Sequence, residues 1–169
     1  MSISNKLRVA MNPAELFLVA RITAVLLILP ASLKLLSINR ITRMLTPRRR
    51  RTPPEQLSPE RITYLCLRAL TLFGRISYRS SCLRRCLLLF HCLRYYGKPV
   101  VIHFGVKPSG EDLVGHCWLT VDGALYHDRI EMVSQFTHMF SLPSRSPVTG
   151  GPSEERSTIP DLRTVSFDA

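Results

Sequence analysis

The stretch SSCLRRCLLLFHCLRYYGKPVVIHFGV, residues 80–106, decides the fold, because the hydrophobic period changes inside it. Cys82, Cys86, Leu89, Leu93 and Tyr96 fall on one face at the spacing of a helix, and Arg84, Arg85 and His91 have room on the others. Ser80 and Ser81 are suited to N-cap that helix. Gly97, followed by Pro99, is suited to stop it. From Val100 to Val106 the composition is that of a strand, rich in β-branched and aromatic side chains.

Working outward, Lys107–Asp112 holds Pro108 and Gly110 and reads as a turn. Leu113–Val121 follows as a second strand, Asp122–Gly123 marks a hairpin, and Ala124–Asp128 makes a third strand. Toward the N-terminus, Pro59 opens a helix that carries Glu60 in its first turn, repeats Ile62, Leu65, Ala69 and Phe73, and ends near Gly74. Helices first and an antiparallel meander second make an α+β fold. The expected organisation is an apolar and basic helical region at 1–45, an Arg/Pro-rich linker at 46–59, a core at 60–140 and a flexible tail at 141–169.

The charge is uneven. Residues 1–51 carry ten Lys/Arg against one acidic residue, whereas residues 52–140 carry ten against seven. A basic first third suits an anionic surface. It lacks interleaved aromatics and any nucleic-acid reading module, so nucleic acid is not the expected partner. Residues 16–36, LFLVARITAVLLILPASLKLL, form the most apolar segment, and its helical pattern runs on to Met44. Arg21 and Lys34 bracket an uncharged run of only 12 residues, with Pro30 inside it. A span needs about 20. The segment reads as a helix packed on the core or lying at an interface, not as a cleaved signal. Five cysteines in a chain of this length do not describe a disulfide-stapled secreted domain. The expected location is the cytoplasm, peripheral to the membrane at most.

Chemistry concentrates on three residues. Cys82 sits in the first turn of its helix, where free N–H groups and the positive dipole end favour a thiolate. Its own backbone N–H is placed to receive an oxyanion. Cys86 and Cys92 read as small core hydrophobes. His116 lies on the second strand, and its relation to Asp128 depends on the hairpin. A two-residue loop at Asp122–Gly123 pairs Val121 with Ala124, sets His116 opposite Arg129 and turns Asp128 to the other face. A three-residue loop pairs Thr120 with Ala124 and sets His116 opposite Asp128, so a triad predicts the longer turn. Asp122 reads as a turn residue. Trp118, on the face of His116, is placed to shield a Cys–His pair from water. Cys82, Cys86, Cys92 and Cys117 lack paired Cys-x-x-Cys spacing, so neither a metal nor a cofactor is expected. His103, His127 and His138 read as structural or surface groups.

Taken together, Cys82-Leu-Arg-Arg-Cys-Leu-Leu-Leu, Tyr-Tyr-Gly-Lys-Pro, Val-Ile-His-Phe-Gly-Val and Gly-His-Cys-Trp-Leu-Thr-Val-Asp-Gly resemble the transglutaminase-like leader peptidases of lasso-peptide biosynthesis, over roughly residues 14–140. These are the protease part of the B-type processing proteins. The family's cysteine, histidine and acid fall on Cys82, His116 and Asp128, 34 and 12 residues apart. The resemblance implies a transglutaminase/papain-like core and a thiol protease that cuts the leader from a ribosomally made precursor peptide. It also implies two partners, a separate leader-binding protein and an ATP-dependent cyclase that closes the macrolactam. The apolar N-terminal helix and Arg48–Arg51 are candidates to dock one of them.

Three readings follow. In the first, Cys82 attacks the scissile carbonyl, His116 moves the proton, and Asp128 orients His116. In the second, the same residues pass the acyl group to an amine. In the third, the chain is a non-catalytic membrane-associated scaffold that works through its basic helix.

Overall fold

The computed structural model describes residues 12–46, 57–73, 81–110 and 112–143. Ser80, Gly74, the Arg48–Arg51 run and the segment after residue 143 lie outside the described residues, as does the Ser81 side chain. The elements are α1 (Pro13–Leu35), α2 (Ile38–Leu45), α3 (Pro59–Phe73), α4 (Ser81–Tyr95), β1 (Val100–Ser109), β2 (Asp112–Val121), β3 (Ala124–Tyr126), α5 (Ile130–Val133) and β4 (Thr137–Leu142). The result is α+β: helices plus one antiparallel sheet of four strands in the order β3-β2-β1-β4.

Helix α4 lies at the centre, with α1, α2 and α3 on one side and β1 and β2 on the other. That position corrects the reading of a single apolar face. Cys82, Leu83, Cys86, Leu87, Leu88, Leu89, Phe90, Cys92 and Leu93 are all buried, because both sides of α4 meet packing partners. Gly97, at φ +80°, ends the helix. The Gly97 N–H donates to Arg94 O at 3.0 Å and the Lys98 N–H to Leu93 O at 3.0 Å, the paired bonds of a glycine-stopped terminus.

Asn12 opens α1 by accepting from the Ala14 N–H, with Pro13 at the first helical position. The helix continues through Pro30, then breaks at Leu36, which is extended. The pattern that ran on to Met44 is therefore two helices, and the break lets Ile41 and Leu45 of α2 reach the core. Leu18, Ile22, Val25 and Leu29 fasten α1 inward, each contributing about 1.5–3 kcal/mol of apolar burial. Polar ties add direction. Glu15 accepts from Arg61 of α3 at 2.6 Å. Arg21 donates to His91 of α4 at 2.7 Å, and the other ring nitrogen of His91 donates to Leu45 O at 2.7 Å.

β1 and β2 run three residues longer and one residue longer than their sequence patterns, so Lys107–Ser109 and Asp112 of the expected turn belong to strands. The fourth strand, β4, was not legible. It pairs antiparallel with β1 from Val106↔Thr137 to Ile102↔Leu142 and takes Ser141 and Leu142 out of the segment read as tail.

Candidate active site

The Asp122–Gly123 loop has two residues, at φ 52° and 83°, and Val121 pairs with Ala124. Positive φ at both loop positions is the turn whose twist matches a hairpin, and Asp-Gly is suited to it. The expectation of a three-residue turn is thus overturned. In that register a continuing strand would send Asp128 away from His116. It does not continue: β3 ends at Tyr126, and His127 takes φ 57°. This left-handed residue costs about 1–2 kcal/mol of backbone strain. The tether just before it holds the bend, since the Tyr126 hydroxyl donates to Pro59 O at 3.2 Å and lies 2.7 Å from Thr63 Oγ1. Asp128 then swings back to the edge of β2, beyond the last residue that β3 covers.

There Asp128 Oδ1 lies 3.8 Å from His116 Nε2. The distance is an electrostatic contact, longer than a hydrogen bond. Both ring nitrogens of His116, 3% exposed, are without a close hydrogen-bond partner among the described residues. With Nε2 turned to the carboxylate, Nδ1 is the nitrogen left for the Cys82 sulfur. Asp128 raises the His116 pKa to about 9, with Cys82 assisting and burial opposing. At Cys82 the pKa falls to about 5. The Cys117 side chain is the largest cause, burial opposes, and His116 and the Cys117 backbone add to the fall. The pair is therefore thiolate and imidazolium between about pH 5 and 9. Its sulfur sits in the first turn of α4, where the dipole acts in the same direction.

Three supporting groups were missed by the sequence reading. Arg85, one turn on from Cys82, donates to Asp128 Oδ2 at 2.8 Å. It had been left on a free face of the helix, yet i+3 spacing puts it beside Cys82. Together with His116 it lowers the Asp128 pKa against the cost of burial. Cys117 is fully buried, and burial keeps its own thiol well above the ordinary range, so it donates rather than ionises. Cys86 Sγ–H donates to the Cys117 carbonyl at 3.2 Å and holds that strand against α4. Phe136, just ahead of β4, stacks on His116 with ring centroids 5.0 Å apart. No local signal marked Phe136, because the strand after it was not recognised.

Trp118 is 7% exposed, and its ring is 6.3 Å from that of His116. It packs over Gly105, where a Cβ would lie 2.9 Å from the indole and 2.9 Å from the Thr137 carbonyl. A glycine is needed there by close approach. On the same face His103 bonds Thr120 and Ser141, and His138 bonds Ser141.

A buried helix-start cysteine, a strand histidine and an acid lie together where a helix packs on an antiparallel sheet. The family model described as transglutaminase-like superfamily matches residues 24–141, and the chain belongs to that superfamily. Its members are typically Cys–His–Asp enzymes, of cysteine-protease or acyltransferase type. No curated protein and no solved structure matches the chain.

Proposed function

We propose that the chain is a thiol peptidase that removes the leader of a lasso-type precursor peptide. The observation that carries the thiol chemistry is the Cys82–His116–Asp128 juxtaposition, with a sulfur near pKa 5 beside an imidazole near pKa 9. Cys82 thiolate attacks the scissile carbonyl, and the oxyanion forms at the first turn of α4, within reach of backbone N–H groups. His116 gives its proton to the leaving amine, which departs as a thioester forms. Water then attacks the thioester, His116 takes its proton, and the carboxylate product leaves as the sulfur returns to thiolate. Asp128 holds the imidazole in orientation throughout, and Arg85 holds Asp128. The lasso assignment rests on the sequence resemblance, as do the two proposed partners, a leader-binding protein and an ATP-dependent cyclase.

One observation favours acyl transfer to an amine as the second reading. Cys82 is 2% exposed and His116 3% exposed, so a thioester here is screened from bulk water. The test is incubation of the full chain with lasso-type precursor peptides, alone and with added methylamine, followed by mass spectrometry. Free leader and core fragments that vanish in Cys82→Ala support the peptidase. Methylamide products support the transferase. A Cys82 thiol that titrates in the ordinary range near 8.5 sinks both.

A further inference from the structure

Helix α1 has two apolar faces, and the core uses only one. Leu18, Ile22, Val25 and Leu29 point inward. Leu16, Phe17, Leu27, Ile28 and Leu35 are each more than half exposed, and Ala20, Ala24 and Ala31 are exposed between them. This stripe runs the length of a 23-residue helix, about 35 Å at about 1.5 Å per residue. Single exposed hydrophobes are ordinary, but a contiguous stripe of this size marks a contact surface.

By length and hydropathy alone α1 passes for a membrane span. Its attachments argue otherwise. Spanning would tear Leu18, Ile22, Val25 and Leu29 from the core, and would break the Glu15–Arg61 pair and the Arg21–His91 bond. The guanidinium of Arg21 also lies 3.9 Å from the Tyr95 ring centroid. A helix fastened to a domain along one side can enter a bilayer only sideways, to the depth of its free face.

Charge selects the occupant. The one acidic residue of α1 and α2, Glu15, is turned inward onto Arg61. Lys34 near the end of α1 and Arg40 and Arg43 on α2 are exposed. Residues 1–51 as a whole carry ten Lys/Arg against that single glutamate. We propose that the outward face of α1 docks in the plane of an anionic lipid bilayer, with Lys34, Arg40 and Arg43 on the headgroups. Each such cation contributes roughly a five-fold gain in partition near an anionic surface. The proposal is independent of the peptidase reading, since its readout needs no substrate.

The experiment is flotation of the full chain with vesicles of phosphatidylcholine alone and of equal parts phosphatidylcholine and phosphatidylglycerol. The wild type is expected to float with the anionic vesicles and to be extracted by alkaline carbonate. Leu27→Glu/Ile28→Glu, both at exposed positions, should lower the partition coefficient at least about 100-fold. Lys34→Gln/Arg40→Gln/Arg43→Gln should lower it about 100-fold and weaken its salt dependence. Thermal melts of the variants establish that they fold. Absence of flotation, flotation unchanged by Leu27→Glu/Ile28→Glu, or resistance to carbonate extraction would overturn the proposal. So would a wild-type dimer in vesicle-free solution that these substitutions convert to monomer, since a second copy would then own the face.

Discussion

His116, on β2 beside the start of α4, and His91, near the end of α4, behave in opposite ways. Both are substantially buried beside α4, and both have an arginine nearby. His116 faces the Asp128 carboxylate and the Cys82 thiol, and its pKa rises to about 9. His91 faces the Leu45 carbonyl and the Arg21 guanidinium, and burial pushes its pKa down. Its accepting nitrogen must stay unprotonated to take the Arg21 hydrogen bond, so a neutral ring is what that end requires. Burial alone would neutralise both rings. What separates them is the sign of the group on the far nitrogen. One end of α4 stores a charge pair; the other joins three helices with a neutral bridge.

Breaking the comparison at the charged end should have the largest effect. Cys82→Ala is expected to abolish cleavage of a precursor peptide, with no fragments by mass spectrometry, and His116→Ala to reduce kcat/KM on the order of 10^4-fold. Iodoacetamide alkylation sharpens the same point without a substrate. In the wild type Cys82 should half-ionise near pH 5, while Cys66, whose thiol is pushed up by Cys92 and burial, should stay unreactive. His116→Ala should slow Cys82 alkylation at pH 6 about tenfold, since the smaller thiolate fraction is partly offset by a more nucleophilic sulfur.

Asp128→Asn removes the anion that keeps His116 charged. Turnover should fall on the order of 10^3-fold. The wild-type pH profile should be a bell with limbs near 5 and 9, set by thiolate protonation below and imidazolium deprotonation above. In Asp128→Asn the upper limb should move toward lower pH. Arg85→Met leaves all three atoms of the site but frees the carboxylate. It should lower kcat about tenfold with KM unchanged, read from steady-state kinetics on a cleaved peptide, because its role is positioning.

At the neutral end, Arg21→Met should cost about 1–3 kcal/mol in denaturant unfolding. It should leave Cys82 alkylation at pH 6 unaltered, since the Arg21–His91–Leu45 bridge serves the fold and not the sulfur.

Much of this was legible in the chain. The period change between Tyr96 and Val100 places a helix before strands, and Gly97 and Pro99 mark the junction. Cys82 was legible because first-turn placement is a local property, and Asp122–Gly123 because a turn is chosen by two residues. The acid was harder. Asp128 was found through a hairpin register that the molecule does not use, and it reaches His116 by another route. The real device is the early end of β3 and the left-handed His127. Neither is dictated locally, since Tyr126 stops the strand by bonding to Pro59 and Thr63 far away in the chain. The break between α1 and α2 has the same origin. No proline or glycine stands at Leu36 and Ser37, and the chain bends where Ile41 and Leu45 find the core.

By itself the sequence determined the α+β class, the glycine stop of α4, the place of the hairpin at Asp122–Gly123 and the nucleophile candidate, because each depends on contacts within a few residues. Tertiary structure decided which acid meets His116, that Arg85 and Cys117 support the site, and that a fourth strand carries Phe136 to the ring. It also decided that half of α1 is left uncovered. Those outcomes depend on which surfaces meet across 20 to 70 residues of chain, and the bonds that select them exist only after the sheet and helices have packed.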